Sequence, residues 1–87
     1  MIERRYQVRG RGPLALLRIE MGLTQKQAAA LAGISHQYLR RLEAGLASPT
    51  ITVVGQMSKG WNVADGAIIS AVRRCIAAAS EASQLGA

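Results

Sequence analysis

The stretch "LTQKQAAALAGISHQYLRRLEAG", residues 23–45, decides how this chain is read. Thr24 stands three residues before Gln27. At that spacing a threonine hydroxyl caps the third helical N–H while the glutamine reaches back to the cap, so a helix begins here. It runs to Gly33, with Ala28, Ala29, Leu31 and Ala32 on one side and Lys26 and Gln27 on the other. A face made almost wholly of alanine lets a neighbouring helix cross close to the backbone. That neighbour starts at Ser35, a natural N-cap, and runs to Ala44. At about 100° per residue, His36, Gln37, Arg40 and Arg41 fall on one side of it and Tyr38, Leu39 and Leu42 on the other. A merely solvated face usually mixes in Glu and Lys at i,i+4 spacing. This one offers His, Gln and two Arg, all able to donate to base edges or phosphates.

The rest of the composition agrees with a helical, polyanion-binding domain. At 87 residues the chain has the size of one small domain. Hydrophobic residues make up 49% but aromatics only 3%, with no Phe, which favours close-packed helices built on Leu, Ile, Val, Met and Ala. Eleven Lys and Arg against five Asp and Glu give a net charge of +6, and Arg4, Arg5, Arg9 and Arg11 crowd the first eleven residues while the acids are scattered singly. The lone Cys75 excludes an internal disulfide framework, and no Cys/His cluster has zinc-ligand spacing, so neither metal nor cofactor is expected. The charged N-terminus lacks a signal-peptide apolar run, and no stretch approaches the roughly 18 apolar residues of a membrane span. The expectation is a cytoplasmic protein with no membrane partner and no small-molecule ligand. No Ser, Cys or acid is spaced to work with His36, so an enzyme has no constellation behind it.

Outside the central stretch, residues 1–12 read as a basic arm ending in "RGRGP", a run reminiscent of minor-groove AT-hooks or, equally, a tail that adds phosphate charge alone. Pro13 and Gly22 bracket a helix on which Leu14, Leu17 and Met21 share a face. Asp65 is a plausible N-cap for a long helix over "DGAIISAVRRCIAAASEASQ". Its stripe of Ile68, Val72, Cys75, Ala79 and Ala82, widened by Ile69 and Ile76, suits its own domain in the first turns and a homodimer contact in the last. Between these, propensity alone reads Ile51 to Val54 as a strand.

"LTQKQAAALAGISHQYLRRLEAGLASPT" resembles the helix-turn-helix of the Cro/CI repressor family, also called Xre-like. Gln25, Ala29, Gly33, Ile34, Ser35, Leu39, Leu42, Glu43, Gly45 and Pro49 fall without a gap where that pattern wants them, and the likeness covers residues 14 to about 69. It implies an all-α, five-helix lambda-repressor-like domain over residues 13–69, flanked by the arm at 1–12 and a C-terminal helical extension at 70–87. In that register the segment after Thr50 is a helix, with Ile51, Val54, Met57 and Trp61 facing the core, although Gly55 and Asp65 stand at usually apolar positions.

The resemblance also implies roles. His36, Gln37 and Arg41 take base-reading positions, flanked by Tyr38 and Arg40. Gln25 holds a phosphate and braces the recognition helix. Lys26, Ser35, Ser48 and Thr50 lie along the DNA backbone, and Arg18 pairs with Glu43 as a partly buried salt bridge. Apart from the resemblance, the basic run itself offers Arg4, Arg5, Arg9 and Arg11 as a minor-groove or phosphate arm, and the apolar stripe of the last helix offers Ile68, Ile69, Val72, Cys75, Ile76 and Ala79 as a dimer face. The function implied is a sequence-specific, double-stranded DNA-binding regulator, repressor-like and dimeric. The rival is an antitoxin or adaptor that binds a protein partner, such as a toxin, polymerase or antagonist, through its last helix.

Overall fold

Short polar side chains and one proline set the helix starts. In the computed structural model, which describes residues 12–86 and side chains as far as Glu81, Pro13 opens α1 (Pro13–Glu20) directly after Gly12. Thr24 caps α2 (Gln25–Ala32): its hydroxyl accepts from the Gln27 N–H at 3.1 Å, and the Gln27 side chain accepts from the Thr24 N–H at 3.0 Å. Ser35 does the same for α3 (His36–Glu43), accepting from the Tyr38 N–H at 3.0 Å, and Thr50 for α4 (Ile51–Trp61), accepting from Val53 at 3.1 Å. The last helix, α5 (Asp65–Gly86), begins one residue earlier than Asp65 as a cap would require. The Ala64 carbonyl accepts from the Ala67 and Ile68 N–H groups, which leaves Asp65 inside the first turn, where its carboxylate complements the positive end of the helix. Helix is the only regular element among the described residues, and the β-branched run Ile51–Val54 is helix. The arm arginines, Arg4, Arg5, Arg9 and Arg11, lie outside the described residues, as does the side chain of Ala82.

The alanine face of α2 does what small side chains permit. Ala28, Ala29 and Ala32 are buried, and α4 crosses so near that a Cβ on Gly60 would collide with the Leu31 carbonyl. Trp61 turns its ring into the core and donates its indole N–H to the Ala28 carbonyl at 2.9 Å, which pins α4 to α2 and satisfies a buried donor. Leu31 departs from the expected buried face and is 53% exposed, because its backbone lies under α4 while its side chain points outward past the edge of the contact. Ile51 departs too. It is 91% exposed, since the first turn of α4 overhangs a groove beside α5, and only Val54, Met57 and Trp61 of that stripe reach the core.

α5 closes the domain against α1 and α4. Ile68, Ala71, Val72 and Cys75 are buried with Leu14, Leu39, Leu42 and Met57 in one cluster, and Ile76 packs against it. The packed unit thus continues past residue 69, and Ile68, Val72 and Cys75 are buried in this chain's own core. The Cys75 sulfur accepts from the Leu14 N–H at 3.4 Å, a group that the first turn of α1 leaves without a helical partner. Burial pushes the thiol pKa up, and the nearby Glu43 charge adds to this against the opposing Leu14 hydrogen bond. Gly45, just past α3, has φ +77°, and a Cβ there would run into the Cys75 carbonyl and approach the Ala79 Cβ to 2.9 Å.

Two glycines of α4 should therefore respond oppositely to alanine. Gly60→Ala is expected to cost about 1–3 kcal/mol through overpacking against backbone. Gly55→Ala meets nothing within 4 Å and should stabilise by up to about 1 kcal/mol through helix propensity. Urea unfolding of both variants checks the contrast.

Candidate nucleic-acid interface

α3 has two faces that do different work. Leu39 and Leu42 are fully buried and Tyr38 packs against the core, so the helix is seated by its apolar side. On the opposite side Gln37, Arg40 and Arg41 are exposed and His36 is half-buried. Arg41 donates to the Leu46 carbonyl at 3.4 Å, and the Tyr38 hydroxyl to the Ser48 carbonyl at 3.4 Å, so both tie the loop after α3 to the helix. Ser48 and Thr50 are exposed along that loop, and Lys26 and Ser35 are exposed at the first turn of α2 and the N-cap of α3. Lys26, Arg40 and Arg41 are the cations among these exposed residues.

Glu43 would oppose that charge if it faced outward. Instead its carboxylate turns in to Arg18, which donates from Nε to Oε2 at 2.6 Å and from Nη2 to Oε1 at 3.2 Å. Both side chains are nearly inaccessible, at 6% and 7% exposure. Arg18 also donates through Nη1 to the Leu23 carbonyl at 2.9 Å, so one guanidinium joins α1, the turn before α2, and α3. Gln25 completes the arrangement. Its amide nitrogen donates to Glu43 Oε1 at 2.9 Å, and its carbonyl oxygen lies 3.1 Å from His36 Nε2.

Of the expected site residues, the structure sets Gln25 against His36 and Tyr38 against the Ser48 backbone, while Gln37, Arg40, Arg41, Lys26, Ser35, Ser48 and Thr50 are exposed. The dimer-face residues it divides: Ile69 is 44% exposed and Ile76 and Ala79 are partly exposed, whereas Ile68, Val72 and Cys75 are interior. What sequence reasoning missed is the link from Glu43 through Gln25 to His36. Helical spacing puts residues 36 and 43 two turns apart on nearly the same side of one helix, but no local signal places Gln25 between them. Leu46, 64% exposed beside Arg41, was also missed, and no periodicity marks a loop residue. No group of His, Cys, Asp and Glu suited to a metal ion occurs among the described residues, and no described helix is long and apolar enough to cross a membrane.

Residues 14–63 match the family model described as helix-turn-helix. Over 49 residues the chain is 41% identical to the uncharacterized HTH-type transcriptional regulator y4dJ of Sinorhizobium fredii, a match covering 56% of this chain and 64% of that protein. The match therefore spans just under two thirds of the relative's length. No solved structure gives a significant match.

Arg18→Met removes one partner of the buried pair and strands the other. The expected loss is about 3–5 kcal/mol. Gln25→Ala removes one hydrogen bond to the Glu43 carboxylate but leaves the Arg18 pair in place, and is expected to cost about 1.5–3 kcal/mol. Denaturant midpoints of the two variants test the ranking.

Proposed function

The chain belongs to the helix-turn-helix family, and on that premise we propose that it is a sequence-specific, double-stranded DNA-binding transcriptional regulator that lays α3 in the major groove. One observation carries the reading. The only acid of α3, Glu43, is turned inward and neutralised by Arg18, so the outward face of the helix presents nothing that repels a phosphate backbone. His36, Gln37 and Arg41 read base edges, with Arg to guanine and Gln to adenine as the natural bidentate pairings. Lys26, Ser35, Arg40, Ser48 and Thr50 hold phosphates, and Arg4, Arg5, Arg9 and Arg11 add charge that steers and retains the duplex. Gln25 braces His36, and Tyr38 holds the loop. Occupancy of a promoter by such a domain blocks polymerase, which makes repression the simplest outcome.

A second copy of the chain covers the apolar groove of about 280 Å³ lined by Pro49, Ile51, Val54, Ile69 and Ile76. Ile51 and Ile69 supply exposed apolar area, and Asp65 and Arg73 on the same lining are opposite charges that a two-fold axis would set against each other. In such a dimer the two α3 helices meet half-sites about one helical turn apart.

Selection of full-length protein against random duplex DNA at near-physiological salt tests the proposal. The expected product is an inverted repeat with centres about one turn apart. Retention without an enriched sequence, or no retention, would overturn it in favour of a protein-partner module. Gln37→Ala should relax preference at one or two base pairs while leaving non-specific binding intact. Ile69→Glu should yield monomers by light scattering and weaken binding to the full repeat more than to a single half-site.

A further inference from the structure

Three contacts in series determine which atom of His36 is free. An ionised carboxylate can only accept, so Glu43, already paired with Arg18, requires the Gln25 amide to turn its NH2 group inward, where the two groups lie 2.9 Å apart. That orientation points the Gln25 carbonyl oxygen at His36 Nε2, 3.1 Å away. A carbonyl oxygen also only accepts, so Nε2 must carry the hydrogen. In a neutral imidazole the other nitrogen is then a bare lone pair. Among the described residues Nδ1 has no hydrogen-bond partner, and no buried side-chain nitrogen or oxygen is left without one, so Nδ1 is not sealed from solvent.

We infer that His36 reads the major groove as a hydrogen-bond acceptor and selects an exocyclic amino group, N6 of adenine or N4 of cytosine, with Gln25 as the positioning residue that sets its tautomer. The inference rests on the DNA-binding reading above. Guanine and thymine present acceptors at the corresponding edge, N7 and O6 or O4, and a lone pair facing them gains nothing. A ring free to rotate would present either nitrogen. The link from Arg18 through Glu43 and Gln25 removes that freedom, and with it the ambiguity in what His36 recognises.

The test is a coupling measurement at pH 8. In the selected site, each adenine of a half-site is replaced singly by purine and each cytosine by pyrimidin-2-one, both of which lack the amino group. Binding of wild-type protein, His36→Ala and Gln25→Leu to each duplex is then compared. At one position, amino removal should weaken wild-type binding about fivefold, the scale of one hydrogen bond. The same change should leave His36→Ala unaffected and weaken Gln25→Leu twofold or less. The inference is overturned if His36→Ala instead cancels the cost of replacing guanine by 7-deazaguanine, or cancels no base change while the wild type still selects a defined site. An undiminished fivefold effect in Gln25→Leu removes Gln25 from the account. Absence of any defined site sinks the DNA reading itself, and this inference with it. Should Gln25→Leu fail to fold, nitrogen-15 NMR of the wild-type imidazole decides: a proton on Nε2 is expected, and one on Nδ1 overturns the assignment.

Discussion

A single buried ion pair holds the polar face of α3 in place. Arg18 and Glu43 are each almost inaccessible, and the desolvation of two such charges roughly offsets their attraction. Their worth therefore lies less in net stability than in what the geometry excludes. Arg18 spends its donors on Glu43 and on the Leu23 carbonyl, and Glu43 accepts from Gln25 as well. Any other placement of α1, α2 or α3 would leave one of these groups buried and unpaired, at a cost of several kcal/mol. The register of three helices is thus specified by polar satisfaction, while the apolar core around them supplies the driving force.

Close approach supplies the second constraint. The α2–α4 contact is built on Ala28, Ala29, Ala32 and Gly60, residues too small to hold the helices apart, and Trp61 fills the space beyond. The same contact explains why four β-branched residues in the first turn of α4 do not make a strand. Helix propensity separates ordinary residues by up to roughly 0.7 kcal/mol each. Burial of each large apolar side chain is worth roughly 1.5–3 kcal/mol, and Val54, Met57 and Trp61 can all be buried together only at helical spacing.

Much of this was legible in the residues. The caps at Thr24 and Ser35, the proline start at Pro13, and the seating of α3 on Leu39 and Leu42 each follow from local chemistry whose partner lies within a turn or two. The faces of α2 and α4 were legible in direction but not in extent. Helical spacing places Leu31 beside Ala28 and Ile51 beside Val54, yet it carries no information on where the neighbouring helix ends, and both side chains stand clear of it. Asp65 was read as a cap because its chemistry suits the Ncap and the first turn alike. The contact between Gln25 and His36 lay beyond local reading altogether, since it exists only once α1, α2 and α3 have met.

Gly45 brings backbone against backbone. At that point the chain leaving α3 rests on the Cys75 carbonyl of α5 with no side chain of its own between them. Contacts made by side chains have compliance, because a rotamer or a methyl group can yield by some tenths of an ångström. Two peptide groups in van der Waals contact have almost none. A sideways displacement of the middle of α5 is therefore not absorbed at this junction. It acts as a lever on the end of α3, so the two helices move as one body.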